Sequence, residues 1–245
     1  MMGHRLLMAA SNLGLTYVET VLQDKPVAFW QLNETSGTVA ADSSGNGYNG
    51  TYEGAPTLGA APIAPGLGKS VSLAGGGSQY VTLSSVPSAL QLVEGTFEAW
   101  TQQPTVVKGA GIFCSGFNGS TVNWAIGQGA KNNLPATSAL LFGGNYNGGW
   151  DYAGYESTLT AGEPAHVVYT NDGTTALLYL NGAEIYSGAS QSFTPNAEAI
   201  FMGGNWNGPS GNGWVTLQGV LSNCAIYNTV LSAARIQAHY NAGIS

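Results

Sequence analysis

Residues 177–188 read LLYLNGAEIYSG, and this stretch decides the fold class. Two apolar runs flank Asn181-Gly182, a pair that supplies the two positive φ values of a tight turn between antiparallel strands. The stretch predicts a β-hairpin. Outward from it, short runs of β-branched and aromatic residues recur between clusters of Gly, Asn, Ser and Pro, with almost no helical periodicity. Strands are predicted over 27–32, 69–75, 79–84, 95–102, 105–115, 122–128, 138–144, 165–172, 175–180, 183–188, 199–204 and 214–227. Only 16–24, which stops before Pro26, and 232–243, which starts at a capping Ser232 and ends at Gly243, read as helices. Many closely spaced strands without intervening helices predict an all-β chain: a two-sheet antiparallel jelly-roll sandwich with short N- and C-terminal helices.

The chain has 245 residues, of which 44% are hydrophobic, enough for a substantial core in one large β domain. Charged residues make up only 8%, so the predicted surface is built from Ser, Thr, Asn and Gly and suits neutral polar partners or packing against protein. The net charge of -7 and the lack of any basic run exclude nucleic acid as a partner. No apolar stretch is long enough to predict a transmembrane helix, and no membrane partner is expected. The start, MMGHRLLMAASNLG, carries an apolar run too short for a secretory leader. It reads as an N-terminal arm over residues 1–15, with the domain over 16–245. Cys114 and Cys224 lie in apolar stretches and read as buried free thiols, with a disulfide as the alternative.

Residues 42–53, DSSGNGYNGTYE, match a helix-loop-helix calcium pattern, with Asp42, Ser44 and Asn46 at its first three ligand positions, Gly47 at the turn and Glu53 at the last position. The flanks NETSGTVAA and GAPTLGAAPIAPGLG cannot form the two helices which that motif requires.

The chain resembles the laminin-G-like, concanavalin A-like lectin-glucanase jelly rolls. The resemblance rests on YVETVLQDKPVAFWQLNE, DSSGNGYNG, KSVSLAGGGSQYVTL, GTFEAWTQ, AHVVYTNDGTTALLYLNG and LSNCAIYNTVLSAARIQAHYNAG, which together span nearly the whole sequence. It implies a structural Ca²⁺ at Asp42, Ser44 and Asn46, completed by an acidic residue at the start of the last strand. Ser222-Asn223 stand at that acidic position here. The alternative reading is an Asx-type turn in which Asp42 and Asn46 hydrogen-bond their own loop. No other cofactor is expected.

Related jelly rolls include glycoside hydrolases, whose paired acids occur in a Glu-x-Asp-x-x-Glu run that is missing here. Glu98 reads as structural, Glu94 is separated from its strand by Gly95, and His166 and His239 read as packed structural residues. No enzymatic activity is expected. An internal echo, FGGNYNGG (142–149) and MGGNWNGP (202–209), places aromatic rings beside Asn amides, the chemistry that stacks on sugar rings and bonds their hydroxyls. Tyr146, Trp150, Tyr152, Asn205, Trp206 and Trp214 are the candidate glycan-binding residues. The alternative is a recurrence of Gly-Asn turns at the sandwich ends.

The opening and closing segments are similar to those of jelly-roll proteins of bacteriophage particles. This resemblance implies a non-enzymatic structural or adhesive virion component, in a decoration, fibre or tail role. Its partners would be capsid or tail proteins, host-surface glycans and further copies of itself in a homo-oligomer. The alternative is a soluble, extracellular bacterial carbohydrate-binding module, and more remotely a glycoside hydrolase.

Overall fold

The computed structural model describes residues 14–105, 110–115, 124–129, 139–146, 149–190, 199–204 and 216–245. In chain order the elements are α1 (Tyr17–Gln23), β1 (Ala28–Trp30), β2 (Val39–Ala40), β3 (Gly50–Glu53), β4 (Thr57–Ala60), β5 (Ser70–Ala74), β6 (Tyr80–Leu83), a 3₁₀ turn (Ser88–Leu90) and β7 (Gly95–Gln102). They continue with β8 (Gly111–Ser115), β9 (Trp124–Gly129), β10 (Ala139–Tyr146), β11 (Gly149–Thr158), β12 (Pro164–Asn171), β13 (Thr175–Leu180), β14 (Ala183–Ala189), β15 (Ile200–Met202), β16 (Gln218–Tyr227) and α2 (Ala233–Ile244). Among the described residues these form two eight-stranded antiparallel sheets. The first runs β14-β13-β12-β7-β16-β5-β4, with β1 also paired to β16, and the second runs β11-β10-β9-β8-β15-β6-β3-β2. This is the jelly-roll sandwich expected from the sequence.

The hairpin that fixed the fold class forms as predicted: Asn181 and Gly182 take φ of 53 and 79, and Leu180 pairs with Ala183. Between the sheets lies one core, with Trp30, Phe97, Tyr169 and Ile226 on one side and Phe113, Trp124, Ile126 and Met202 on the other. The Phe97 and Trp124 rings stack at 3.9 Å across it. The outer face of the first sheet is also covered. There α1, α2 and residues 63–67 bury Tyr17, Val21, Trp100, Tyr227 and Ile236 as a second apolar layer. Double burial explains why β7 and β12 show no inside-outside alternation.

The two helices start where their caps dictate. Thr16 and Glu19 form a reciprocal capping box at α1, and the Ser232 hydroxyl accepts from the Arg235 N–H at α2. Helix α2 seats closely because Gly243 lies against Trp100, where a Cβ would come within 2.3 Å of the indole.

Strands β2, β3, β4 and β11 were not anticipated. The first three are short, and they are held by pairing with β3, β6 and β5 rather than by local propensity. Of the predicted strand 105–115, Gly111–Ser115 form β8 and residues 106–109 lie outside the described part; of the predicted strand 214–227, Gln218–Tyr227 form β16 and residues 214 and 215 lie outside it. Of the proposed N-terminal arm, only residues 14 and 15 lie within the described part.

Both cysteines are free and fully buried. Burial pushes the Cys114 thiol up to about 12 and raises Cys224 well above its ordinary value. Neither thiol is therefore expected to react with a soluble disulfide reagent while the protein is folded, and both react once it is denatured. A fast native-state reaction would contradict this packing.

Candidate functional site

The loop after β2 is organised around Asp42. Its Oδ1 accepts the Phe29 N–H at 3.0 Å and the Ser44 N–H at 2.9 Å, and its Oδ2 accepts the Ser44 hydroxyl at 2.8 Å and the Tyr48 N–H at 2.9 Å. The Asp42 N–H in turn donates to Asn49 Oδ1, and the Asn46 side-chain amide donates to the Val27 carbonyl, both at 2.9 Å. These bonds form the Asx-type arrangement, extended by contacts that tie the loop to β1.

The arrangement does not fit a calcium ion. Ca²⁺ requires six to eight oxygens turned toward it, whereas both Asp42 oxygens already face hydrogen-bond donors. At the position where the resemblance expects an acid, Asn223 directs its amide nitrogen to Ser222 Oγ at 3.0 Å and is itself buried. Among the described residues no cluster of three or more His, Cys, Asp or Glu is arranged to hold a metal. Accordingly, the melting temperature is expected to be the same in chelator and in added Ca²⁺. A chelator-induced drop would show an ion at Asp42.

What the loop builds instead is a depression of about 540 Å³. Leu22, Lys25 and Pro26 from the end of α1, Val27, then Ser44, Asn46 and Tyr48 from the loop, and Ala89 and Asn228 line it. Ser44, Asn46, Tyr48, Asn228 and Lys25 are therefore the polar residues of this lining, beside a few apolar ones. The Tyr48 carbonyl is held by the Trp30 indole N–H at 2.7 Å, so both backbone groups of this ring-bearing residue are fixed. From sequence, Ser44 and Asn46 are candidates only for a metal ion, and Lys25, Tyr48 and Asn228 are not singled out; only the fold brings Lys25 and Asn228 beside the loop.

The predicted glycan residues fall elsewhere. Tyr146 ends β10 and pairs with Gly149, Trp150 pairs with Asn145, and Tyr152 pairs with Gly143. Asn205, Trp206 and Trp214 lie outside the described residues. Phe142 and Met202, the first residues of the two echoes, share one cross-strand row through Ile126 and Phe113. Strands β10 and β15 run in opposite directions, however, so the chain leaves Met202 toward the sheet end away from the β10–β11 turn. Thr216, where the described chain resumes, bridges Gly111 at that same far end.

A carboxylate also lies at the centre of β7, under the two helices. Glu98 is fully buried and accepts from Tyr17 Oη at 2.6 Å, Tyr227 Oη at 3.0 Å, and ring nitrogens of His166 and His239, each at 2.9 Å. The other nitrogen of His239 meets Asp24 at 2.8 Å, and Arg235 pairs with Asp24 at the same distance. With a carboxylate on each ring nitrogen, His239 is an imidazolium donating to both. Burial alone would raise the Glu98 carboxyl, but the His239 charge and the two imidazole hydrogen bonds outweigh it and hold Glu98 well below the usual carboxylate range. Burial likewise opposes the charged form of His239, and the Glu98 and Asp24 carboxylates overcome it to raise that imidazole. Two anions and two cations thus close a neutral cluster, and the structural reading of Glu98 and His239 is the one this geometry supports.

Residues 75–237 match the family described as the concanavalin A-like lectin/glucanases superfamily, across well over half of the chain. The chain belongs to this superfamily. No curated protein matches it in sequence. Among solved structures, the superfamily fold is shared with domain 4 of AbnA, an extracellular GH43 arabinanase from Geobacillus stearothermophilus, solved with arabinotriose. That match has a TM-score of 0.67 at 19% identity and covers 88% of this chain and 98% of that one. The botulinum neurotoxin serotype C1 binding domain matches with a TM-score of 0.64 at 17% identity, over 91% of this chain. A further structure concerns botulinum neurotoxin type C, whose cell entry depends on interaction with two ganglioside molecules; it has a TM-score of 0.64 at 18% identity. The chain spans about half the length of these two toxin chains, 53% and 52%. At such identities these likenesses show the lectin/glucanase-type sandwich and no more.

Proposed function

We propose that this chain is a non-enzymatic carbohydrate-binding module. The observation that carries the reading is the depression beside the Asp42 loop. It brings Asn228 beside Asn46 and Tyr48 of a loop fixed by hydrogen bonds, within a lectin/glucanase-family sandwich. The arabinotriose complex of the arabinanase domain and the ganglioside dependence of the toxin support the same class of ligand. Support for the absence of catalysis comes from Glu98, the acid at the centre of β7. It is sealed from solvent with both oxygens committed, so it offers no proton to a glycosidic oxygen.

A glycan array probed with the full chain tests this. Retention of oligosaccharides that are recovered intact is the expected result, with binding reduced in Tyr48→Leu and Asn228→Ala. Failure to retain any saccharide, or release of hydrolysis products, would overturn the reading. Contacts through Tyr146, Trp150, Tyr152, Asn205, Trp206 and Trp214 belong to the proposal as a second candidate surface. Binding that survives Trp150→Ala and Trp206→Ala would remove them.

The setting we propose is the surface of a virion, with other virion proteins, host glycans and further copies of the chain as partners. The similarity of the opening and closing segments to phage jelly rolls supports it. Stoichiometric recovery of the chain in purified particles is the expected observation, and its recovery free in a bacterial culture supernatant would favour the secreted module instead.

A further inference from the structure

We infer that the depression beside the Asp42 loop takes an anionic saccharide, one carrying a carboxylate, with Lys25 as its counter-charge. The inference rests on the carbohydrate-binding reading above and adds the charge class of the ligand. It starts from scarcity: the chain has only 6 Lys and Arg against 13 Asp and Glu. Lys25 forms no ion pair among the described residues, and its adjacent acid, Asp24, is already engaged by Arg235 and His239. Lys25 is the one charged residue lining the depression. Asp42 lies in the same loop, but three backbone N–H groups and the Ser44 hydroxyl already meet its two oxygens.

The root of the Lys25 side chain is also fixed. Its backbone takes the left-handed conformation, φ 51, its N–H donates to the Leu22 carbonyl at 3.1 Å, and the buried Pro26 follows. A non-glycine residue at positive φ is uncommon, and Lys25 adopts it where α1 ends. Its side chain therefore leaves from a hydrogen-bonded helix end rather than from a free loop. In the same lining, Asn46 gives one amide N–H to the Val27 carbonyl, which orients its side chain, and Asn228 is exposed. A uronate or sialate fits this set: its carboxylate meets the ammonium, its hydroxyls meet the amides, and its C–H face lies on Tyr48. A neutral sugar would use the amides and the ring and leave the one cation of the site without a partner.

Another depression argues by contrast. It measures about 500 Å³ beside β5, β7 and β16, and it has Gln102, Gln218 and Ser72 but neither a ring nor a charge. Nothing there selects a ligand class.

The test is calorimetric titration of the full chain with uronate and sialate oligosaccharides, each paired with the same sugar after reduction of its carboxylate to an alcohol. At low salt the acidic forms are expected to bind roughly tenfold tighter than their reduced partners, the worth of one charge-assisted contact. The margin narrows as salt is added. Lys25→Gln removes the preference with no change in melting temperature, and Lys25→Arg keeps it. Equal binding of acidic and reduced forms, or a preference that persists in Lys25→Gln, would overturn the inference and leave the carbohydrate reading standing. Absence of binding by either form of every sugar would overturn both.

Discussion

Replacing Glu98 by Gln is expected to destabilise the fold by about 3–5 kcal/mol, the cost of removing one partner from a buried charge network. For a chain of this size each kcal/mol moves the melting temperature by roughly 2–4 °C, so the midpoint should fall by on the order of 10 °C. Glu98 serves as acceptor for four donors from four elements: Tyr17 of α1, His166 of β12, Tyr227 of β16 and His239 of α2. A glutamine of the same shape keeps one acceptor oxygen and turns an NH₂ toward groups that are themselves donors. The loss is therefore of partners, and repacking cannot recover it. Thermal unfolding followed by circular dichroism at mildly acidic pH measures the effect. A shift of a degree or less would mean that the cluster does not hold α1 and α2 to the sheet.

The second large effect is a stability optimum displaced to the acidic side of neutrality. Glu98 is depressed in the folded state, so its contribution is complete above its unfolded value of about 4.3 and is lost as the pH falls through its much lower folded value. His239 is raised, so its contribution is complete below its unfolded value of about 6.5 and is lost as the pH rises through its higher folded value. Both are fully present only between those two unfolded values. The protein should therefore melt higher at about pH 5.5 than at about pH 8.5. Losing the imidazolium leaves Glu98 and Asp24 facing a ring that can donate to only one of them. In His239→Gln the alkaline part of this difference should disappear along with part of the stability. A melting temperature that rises from pH 5.5 to 8.5 in the wild type would refute the charge assignment of the cluster.

The fold was legible where local chemistry and tertiary structure agree. Asn181-Gly182 can hardly be anything but a hairpin turn, and the hydrophobic content of GTFEAWTQ places a strand over the residues that β7 occupies. Ser232 marks the start of its helix because a cap is a local bond. Strands β2, β3 and β4 were hidden because two to four residues in a Gly-rich stretch carry no periodicity. They exist through partners such as Val81 and Ser72.

The site was legible only in part. The spacing of Asp42, Ser44 and Asn46 marked an ordered loop. Whether its oxygens face an ion or N–H groups depends on the orientation of Phe29 and Tyr48, which no spacing encodes. The cluster around Glu98 left one trace, an acid in mid-strand within a chain nearly free of charge. Its partners lie 68 to 141 residues away.

Strand β16 carries a consequence for biosynthesis. It is the last strand to be synthesised, yet it lies between β7 and β5 and also pairs with β1. Until residues 218–227 have emerged, those three earlier strands wait with open edges and the first sheet cannot close. Pairings of such long sequence separation fold slowly and leave apolar edges exposed in the meantime. A nascent chain stalled before Gln218 is thus expected to be a substrate for chaperones and proteases, and the module matures all at once, when its final strand slides into the gap.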